Sequence, residues 1–177
     1  MGEKTMTTLA VYQDEFDTLL VSRGRPQHPV RQGLTKEVVL APPSGRLATS
    51  AFGINRTPIW LVSTCDRIIE LVRLPLGWDG HDGRPVNFDV ADFAVQILLQ
   101  TLEPDGPAPL VVPLSYGGLQ LEWHEQGIDL EIEVEAPNRI FVSFEDRETG
   151  EEFEQEFSTD YTEVTRIMRI LASRPRY

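Results

Sequence analysis

The chain has little cysteine and no long apolar run. Cys65 is the sole cysteine among 177 residues, which makes an intrachain disulfide impossible and is typical of a reducing compartment. No apolar run approaches the roughly 18 residues that a membrane-spanning helix needs. The amino terminus also has no charged leader followed by an apolar segment. We therefore expect a cytoplasmic protein that does not engage membranes.

Positive charge is scarce as well. Lysine and arginine total 16 against 28 for aspartate and glutamate, which gives a formal net charge of -12. Nucleic-acid binding relies on cationic neutralisation of phosphates, and docking to anionic membranes relies on basic clusters. This balance therefore disfavours both partners. An acidic surface commonly serves solubility, and a face that attracts cations is the sharper alternative.

Familiar catalytic and cofactor signatures are also missing from the sequence. It has no glycine-rich phosphate loop followed by lysine and no Cys/His zinc pattern. Ser63, Ser115 and Ser143 lack the flanking glycines of a nucleophile elbow. We therefore predict no cofactor.

What the chain does have is a long stretch of alternating residues. Leu119, Leu121 and Trp123 alternate with polar neighbours, and the same period recurs over 128–135. A period of two places the apolar and polar sets on opposite faces of a sheet. Short turns favour antiparallel neighbours, and they stand at Gly117-Gly118, Gln126-Gly127, Pro137-Asn138 and Thr149-Gly150. The sequence predicts a meander of four to five strands over about 110–157, with its first strand at an edge because Pro113 interrupts the ladder.

Helical spacing of apolar residues predicts three helices, at about 64–74, 88–103 and 160–173. Ser63 or Thr64 is the predicted cap of the first helix and Asn87 that of the second. Asp160 followed by Glu163 resembles a capping box. The fold class is thus α+β, with the helices packed on one face of the sheet.

The N-terminal third differs in charge from the rest. Residues 1–62 contain seven basic and five acidic residues. Strand signals there are short, and Pro42-Pro43-Ser44-Gly45 breaks any regular element. We predict an N-terminal arm or subdomain over 1–62 and an α+β domain over 63–177.

A glycine-rich loop separates the first two helices. Asp79, His81 and Asp82 stand within four residues of it, and such oxygen and imidazole ligands suit divalent ions. Without a distant fourth ligand, the pattern also fits a structural turn in which Trp78 fills the core and the aspartates bond to loop amides. A partner contact is the third interpretation, and no metal site is predicted from the loop alone.

The loop also contributes to a resemblance. Gly77-Trp78-Asp79-Gly80, an amphipathic helix, and the strand Gly117-Gly118-Leu119-Gln120-Leu121-Glu122-Trp123-His124 follow one another. In this order the chain resembles a group of small, acidic, uncharacterised bacterial proteins over about residues 64–145. The resemblance implies the α+β fold and a bacterial origin, and it implies no activity. The group often has tyrosine where this chain has His81, which weakens the metal interpretation.

Acidic residues dominate the polar face of the predicted sheet. Between positions 122 and 156, thirteen acids face only Arg139 and Arg147, and like charges across strands cost roughly 0.2–1 kcal/mol per pair. Three hypotheses compete: a solvated face that prevents edge-to-edge aggregation, a surface for a basic protein, or a surface covered by the cationic arm of the same or a neighbouring chain. The candidate partner-binding residues are Glu122, Glu131, Glu133, Glu135, Glu152 and Glu154.

The leading hypothesis for function is a non-catalytic binding protein. It would neutralise a basic protein partner through the acidic face, in the manner of an immunity protein or antitoxin. The first alternative is an acid/base or metal-dependent enzyme that uses Glu122 and His124, which share a strand face, with Asp79 or His81 reaching over the sheet edge. The second is a structural subunit of a homo-oligomer.

Overall fold

A computed structural model of the chain describes residues 57–174. These residues belong to one compact unit of the chain. The predicted arm over 1–62 lies almost wholly outside the described residues. The elements in chain order are α1 (Leu61–Val72), α2 (Phe88–Thr101), β1 (Leu110–Pro113), β2 (Leu119–Glu125), β3 (Ile128–Ala136), β4 (Arg139–Asp146), β5 (Glu151–Phe157) and α3 (Thr162–Ser173).

The five strands form one antiparallel sheet whose spatial order follows the sequence, β1-β2-β3-β4-β5. This confirms the predicted α+β meander. Pro113 ends β1, which pairs only with β2 among the described strands. The proline therefore stands on an edge strand, where its missing N–H breaks no interior ladder.

Apolar side chains of the strands fill one side of the sheet, which we call the inner face. On β3, Ile128, Leu130, Ile132 and Val134 are at most 2% exposed. Their cross-strand partners continue the pattern, so that Leu130 lies between Trp123 and Phe144. The intervening polar residues point to the opposite side, the outer face. This division follows from the two-residue period of a pleated strand.

The three helices cover the inner face, as predicted. α2 is the most apolar of the three helices and packs on β3. α1 lies against β1 and α2. α3 packs beside α2, with Val164, Ile167, Met168 and Leu171 buried. None of the helices in residues 57–174 has the length and apolar character needed to span a membrane.

The start of α1 departs from the prediction that Ser63 or Thr64 caps it. The helix begins at Leu61, and Ser63 Oγ donates to the Trp60 carbonyl at 3.1 Å from within the first turn. Trp60 is 1% exposed and donates its indole N–H to the Glu103 carbonyl at 3.0 Å. Burial of this indole fixes the chain before Ser63, so tertiary packing overrides the capping preference.

The other two helix starts were predicted with mixed success. Asn87 caps α2 as expected, because its side chain accepts from the Asp89 amide at 2.9 Å. Asp160 accepts from the Thr162 amide at 3.0 Å. Glu163, however, bonds Arg166 at 2.8 Å and does not reach back to Asp160, so the predicted capping box does not form.

A buried ion pair joins α3 to the sheet. Asp146 is 2% exposed and receives Arg174 Nη2 at 2.6 Å. Arg174 Nη1 also lies 3.3 Å from the Gln126 carbonyl and 2.6 Å from Glu148. Burial by itself raises the pKa of Asp146, but hydrogen bonds from the Glu148 amide and Arg174 hold it below its ordinary value. One arginine therefore links the β2–β3 turn, the β4–β5 turn and the end of α3.

Candidate functional site: the acidic outer face

The outer face carries three rows of side chains that cross from β2 to β5. The register places together Gln120, Glu133, Phe141 and Glu156 in the first row, Glu122, Glu131, Ser143 and Glu154 in the second, and His124, Asp129, Glu145 and Glu152 in the third. Five of the predicted partner-binding residues lie in these rows. The sixth, Glu135, joins them through Arg139, which bonds both Glu135 at 2.7 Å and Glu156 at 3.5 Å.

Carboxylates on the β2 and β3 side are paired within the protein. His124 lies between Asp129, which contacts Nδ1, and Glu122, whose Oε2 is 3.3 Å from Nε2. Arg147 also pairs with Asp129. The hydrogen bond to Asp129 raises the pKa of His124, and Glu122 adds to this against the opposing effect of partial burial. These charges largely neutralise one another.

Two neutral side chains complete this half of the face. Gln120 donates its amide to Glu131 Oε2 at 2.7 Å. Tyr116, from the β1–β2 turn, donates its hydroxyl to Glu133, and the pKa of Tyr116 is raised by burial and then by this carboxylate. Sequence reasoning did not single out either residue. Gln120 shares the strand face of Glu122, which was a usable signal, whereas the reach of Tyr116 depends on the turn geometry.

The carboxylates of β5 are different. Glu152 and Glu154 are exposed, and within residues 57–174 neither forms an ion pair or side-chain hydrogen bond. Glu152 stands directly opposite Glu145, so two like charges face each other across β4 and β5, and Arg147 pairs with Glu145 at 3.6 Å. Among the described residues, negative charge without a counter-ion therefore lies along β5 at Glu152 and Glu154, and on β3 at Glu131 and Glu133, which bond neutral groups.

The glycine-rich loop folds on itself. Asp79 Oδ1 accepts from the amides of His81 and Gly83, both at 2.9 Å. These two bonds lower the pKa of Asp79. Gly77 and Gly80 have φ angles of 75° and 83°, in the left-handed region that glycine adopts without steric cost. The aspartate thus serves the turn, as the structural interpretation predicts.

Trp78 and its neighbours contradict one detail of that interpretation. Trp78 is half-buried and outside the core, and its indole N–H donates to the Arg84 carbonyl at 2.9 Å. Hydrogen bonds among residues 77–83 hold the loop in shape. The indole of Trp78 packs against the loop and does not fill the interior. His81 and Asp82 are exposed. Within residues 57–174, no group of three or more His, Cys, Asp or Glu side chains is arranged to hold a metal ion.

The loop and the Glu122–His124 pair lie at opposite ends of β2. Arg84 donates to the Ser115 carbonyl at 2.8 Å and Asn87 to that of Gly117 at 2.9 Å, which fixes the loop against the β1–β2 turn. His124 lies five residues after Leu119, the first residue of β2, or about 17 Å at roughly 3.3 Å per residue. The four residues of the enzyme hypothesis are therefore not brought together.

The chemistry open to the remaining candidates is narrow. Both ring nitrogens of His124 contact carboxylates of the protein. Cys65 is buried, and burial raises its pKa to about 12, which disfavours the thiolate that a nucleophile requires.

Comparison of the chain with protein-family models, with curated proteins and with solved structures gives no match. The assignment of the site therefore depends on its geometry and charge.

Proposed function

We propose that the protein is a non-catalytic binding protein that engages a basic protein partner through the outer face of its sheet. The observation that carries this proposal is the pair of exposed β5 carboxylates, Glu152 and Glu154, neither of which forms an ion pair within the described residues. Such a protein would act as a neutraliser, as immunity proteins and antitoxins do.

The placement of charge supports a protein partner. Glu152 and Glu154 lie on a strand paired with β4 along its whole length, so their spacing is fixed before a partner arrives. Fixed charge costs less ordering on binding, and a field of one sign speeds encounter with an oppositely charged protein. The formal charge of -12 makes phosphate-bearing partners poor candidates.

The competing explanation is that these carboxylates only keep the protein soluble. The two explanations predict different effects when the same charge change is made at different positions. Solubility depends on total charge and not on position, whereas a binding face depends on which carboxylates are present.

A position-matched pair of variants separates these explanations. Glu152→Lys/Glu154→Lys reverses two charges on the outer face. Glu70→Lys/Asp82→Lys makes the same change in net charge at exposed positions on α1 and the loop. Both variants and the wild type are immobilised and exposed to native host extract, and any basic protein retained in stoichiometric amount is purified and titrated back.

We expect the wild type and the Glu70/Asp82 variant to bind the purified partner with similar affinity. The Glu152/Glu154 variant should bind at least about tenfold more weakly, because each close charge pair at an interface contributes on the order of 1.5 kcal/mol or more. Added salt should weaken wild-type binding. Equal binding by both variants would remove the proposal.

A further inference from the structure

The two edges of the sheet are built differently. β1 has four residues and ends in Pro113, and Arg67 from α1 donates its Nε to the Val111 carbonyl at 3.3 Å. A short strand, a proline and a side chain on the backbone all block strand addition. This edge is closed.

The β5 edge is open. The strand has seven residues and no proline. Within residues 57–174 it pairs with β4 and with no other strand. No described residue outside β4 bonds the backbone from Glu152 to Phe157. A row of backbone donors and acceptors therefore points away from β4, which is the template that an added strand requires.

The side chains at this edge differ between the two faces. Glu152, Glu154 and Glu156 occupy the outer face, whereas Phe153, Gln155 and Phe157 occupy the inner face, where the two phenylalanines are half-buried and Gln155 is exposed. From this geometry we infer that an extended segment of the basic partner adds to β5 as a sixth strand. Its basic side chains alternate along the outer face beside the three glutamates, and its apolar side chains lie next to Phe153 and Phe157. This inference depends on the proposed function and specifies how the partner binds.

A second copy of the chain is a poorer occupant of the same edge. Antiparallel pairing of two β5 strands centred on Glu154 would place Glu154 opposite Glu154 and Glu152 opposite Glu156. Like charges directly opposite one another are destabilising in a sheet. A cationic segment with the same period replaces every one of these repulsions with an attraction, so charge complementarity selects it.

Three synthetic peptides test the inference against the full-length protein. The first alternates lysine and valine, the second has the same composition with its lysines and valines grouped, and the third is the first peptide with alternate backbone amides N-methylated on the edge that would face β5. All three carry the same charge, so a purely electrostatic surface would not distinguish them. Affinity is measured by fluorescence anisotropy, and amide chemical shifts and exchange protection of the labelled protein locate the contact.

The alternating peptide should bind at least about tenfold more tightly than the other two, since several backbone hydrogen bonds are lost without the matching edge. Alternate amides of β5 should gain protection from exchange, and Glu152→Lys/Glu154→Lys should abolish the binding. Equal affinity for all three peptides, with shifts at Glu152 and Glu154 but no gain of protection at the β5 amides, would overturn strand addition and leave the proposed function standing.

Two further results would count against the inference. If no peptide binds even at low salt, the proposed basic partner fails together with the mode of binding. If light scattering shows that the protein alone dimerises, with the β5 amides already protected, the occupant is a second copy and the cationic segment is wrong.

Discussion

The two faces of the sheet are made from the same strands yet obey different constraints. Leu130 on the inner face is fully buried between Trp123 and Phe144. The side chain of its neighbour Glu131, on the outer face, bonds Gln120. Close packing fixes the inner residues in shape and volume, whereas the outer residues are fixed only in position. The fold is thus specified on one side of the sheet, which leaves the other side free to carry charge.

The largest expected effect is on the inner face. Leu130→Ala should lower the free energy of unfolding by about 2–5 kcal/mol, because it removes buried apolar atoms and leaves a cavity at the centre of the sheet. Glu131→Ala, one residue away, should change it by less than about 0.5 kcal/mol. Urea denaturation of the two variants measures the contrast. Similar losses in both would mean that the faces are not energetically distinct.

Asp146 is the sole buried acid in residues 57–174. It is therefore an exception to the division between a buried apolar face and an exposed charged face. Its folded pKa is below the ordinary value of about 4. The pairing therefore stabilises the fold above that pH, and the contribution is lost as the pH falls through the lowered pKa. Asp146→Asn should be less stable than wild type at neutral pH, and the difference should shrink as the pH falls below about 4.

A neighbouring outer-face carboxylate is the control for Asp146. Glu145→Gln should change stability by less than about 0.5 kcal/mol at neutral pH. Thermal unfolding across the pH range gives both comparisons. A gap between wild type and Asp146→Asn that stays constant at low pH would refute the role of the ion pair.

A smaller effect is expected from the paired half of the outer face. The folded pKa of His124 is raised above its ordinary value of about 6.5, so its stabilising contribution is present below that pH and is lost as the pH rises through the raised pKa. Wild type should exceed His124→Gln in urea midpoint at about pH 6 and lose this advantage as the pH rises through the raised pKa of His124. In Asp129→Asn, NMR titration should show a lower pKa for His124. An unchanged titration would mean that Asp129 is not the main cause.

The smallest effect has the opposite sign. Glu152 faces Glu145 across β4 and β5, and relief of that repulsion should make Glu152→Gln more stable by roughly 0.2–1 kcal/mol. Because both carboxylates are exposed, the gain should diminish in high salt. A loss of stability would instead show that the charge of Glu152 stabilises the fold.

Local pattern predicted the fold well. The two-residue period gave the strands and the two faces, and Pro113 marked the edge. Features that depend on distant contacts escaped prediction. Trp60 bonds a carbonyl 43 residues away and moves the start of α1, and Arg174 bonds Asp146 across 28 residues. Periodicity carries no information about either separation.

The residues of the candidate site could be predicted from the sequence, but the ion pairs among them could not. The sequence gives the carboxylates and their common face, but it does not show which of them have counter-ions. Pairing of Glu122 and Asp129 with His124 depends on strand register. The distance between the loop and His124 likewise follows from where the loop docks, at the β1–β2 turn.

The Arg174 contact has a consequence for the order in which the chain completes its structure. On the ribosome, the β4–β5 hairpin emerges before Arg174, so the Asp146 carboxylate lacks its counter-ion until α3 has been released. We expect the two hairpin turns to remain susceptible to protease in a chain truncated after Ser173 and to become resistant when Arg174 is restored. The contact made by Arg174 at the end of α3 would then stabilise the turns of a sheet that has already formed.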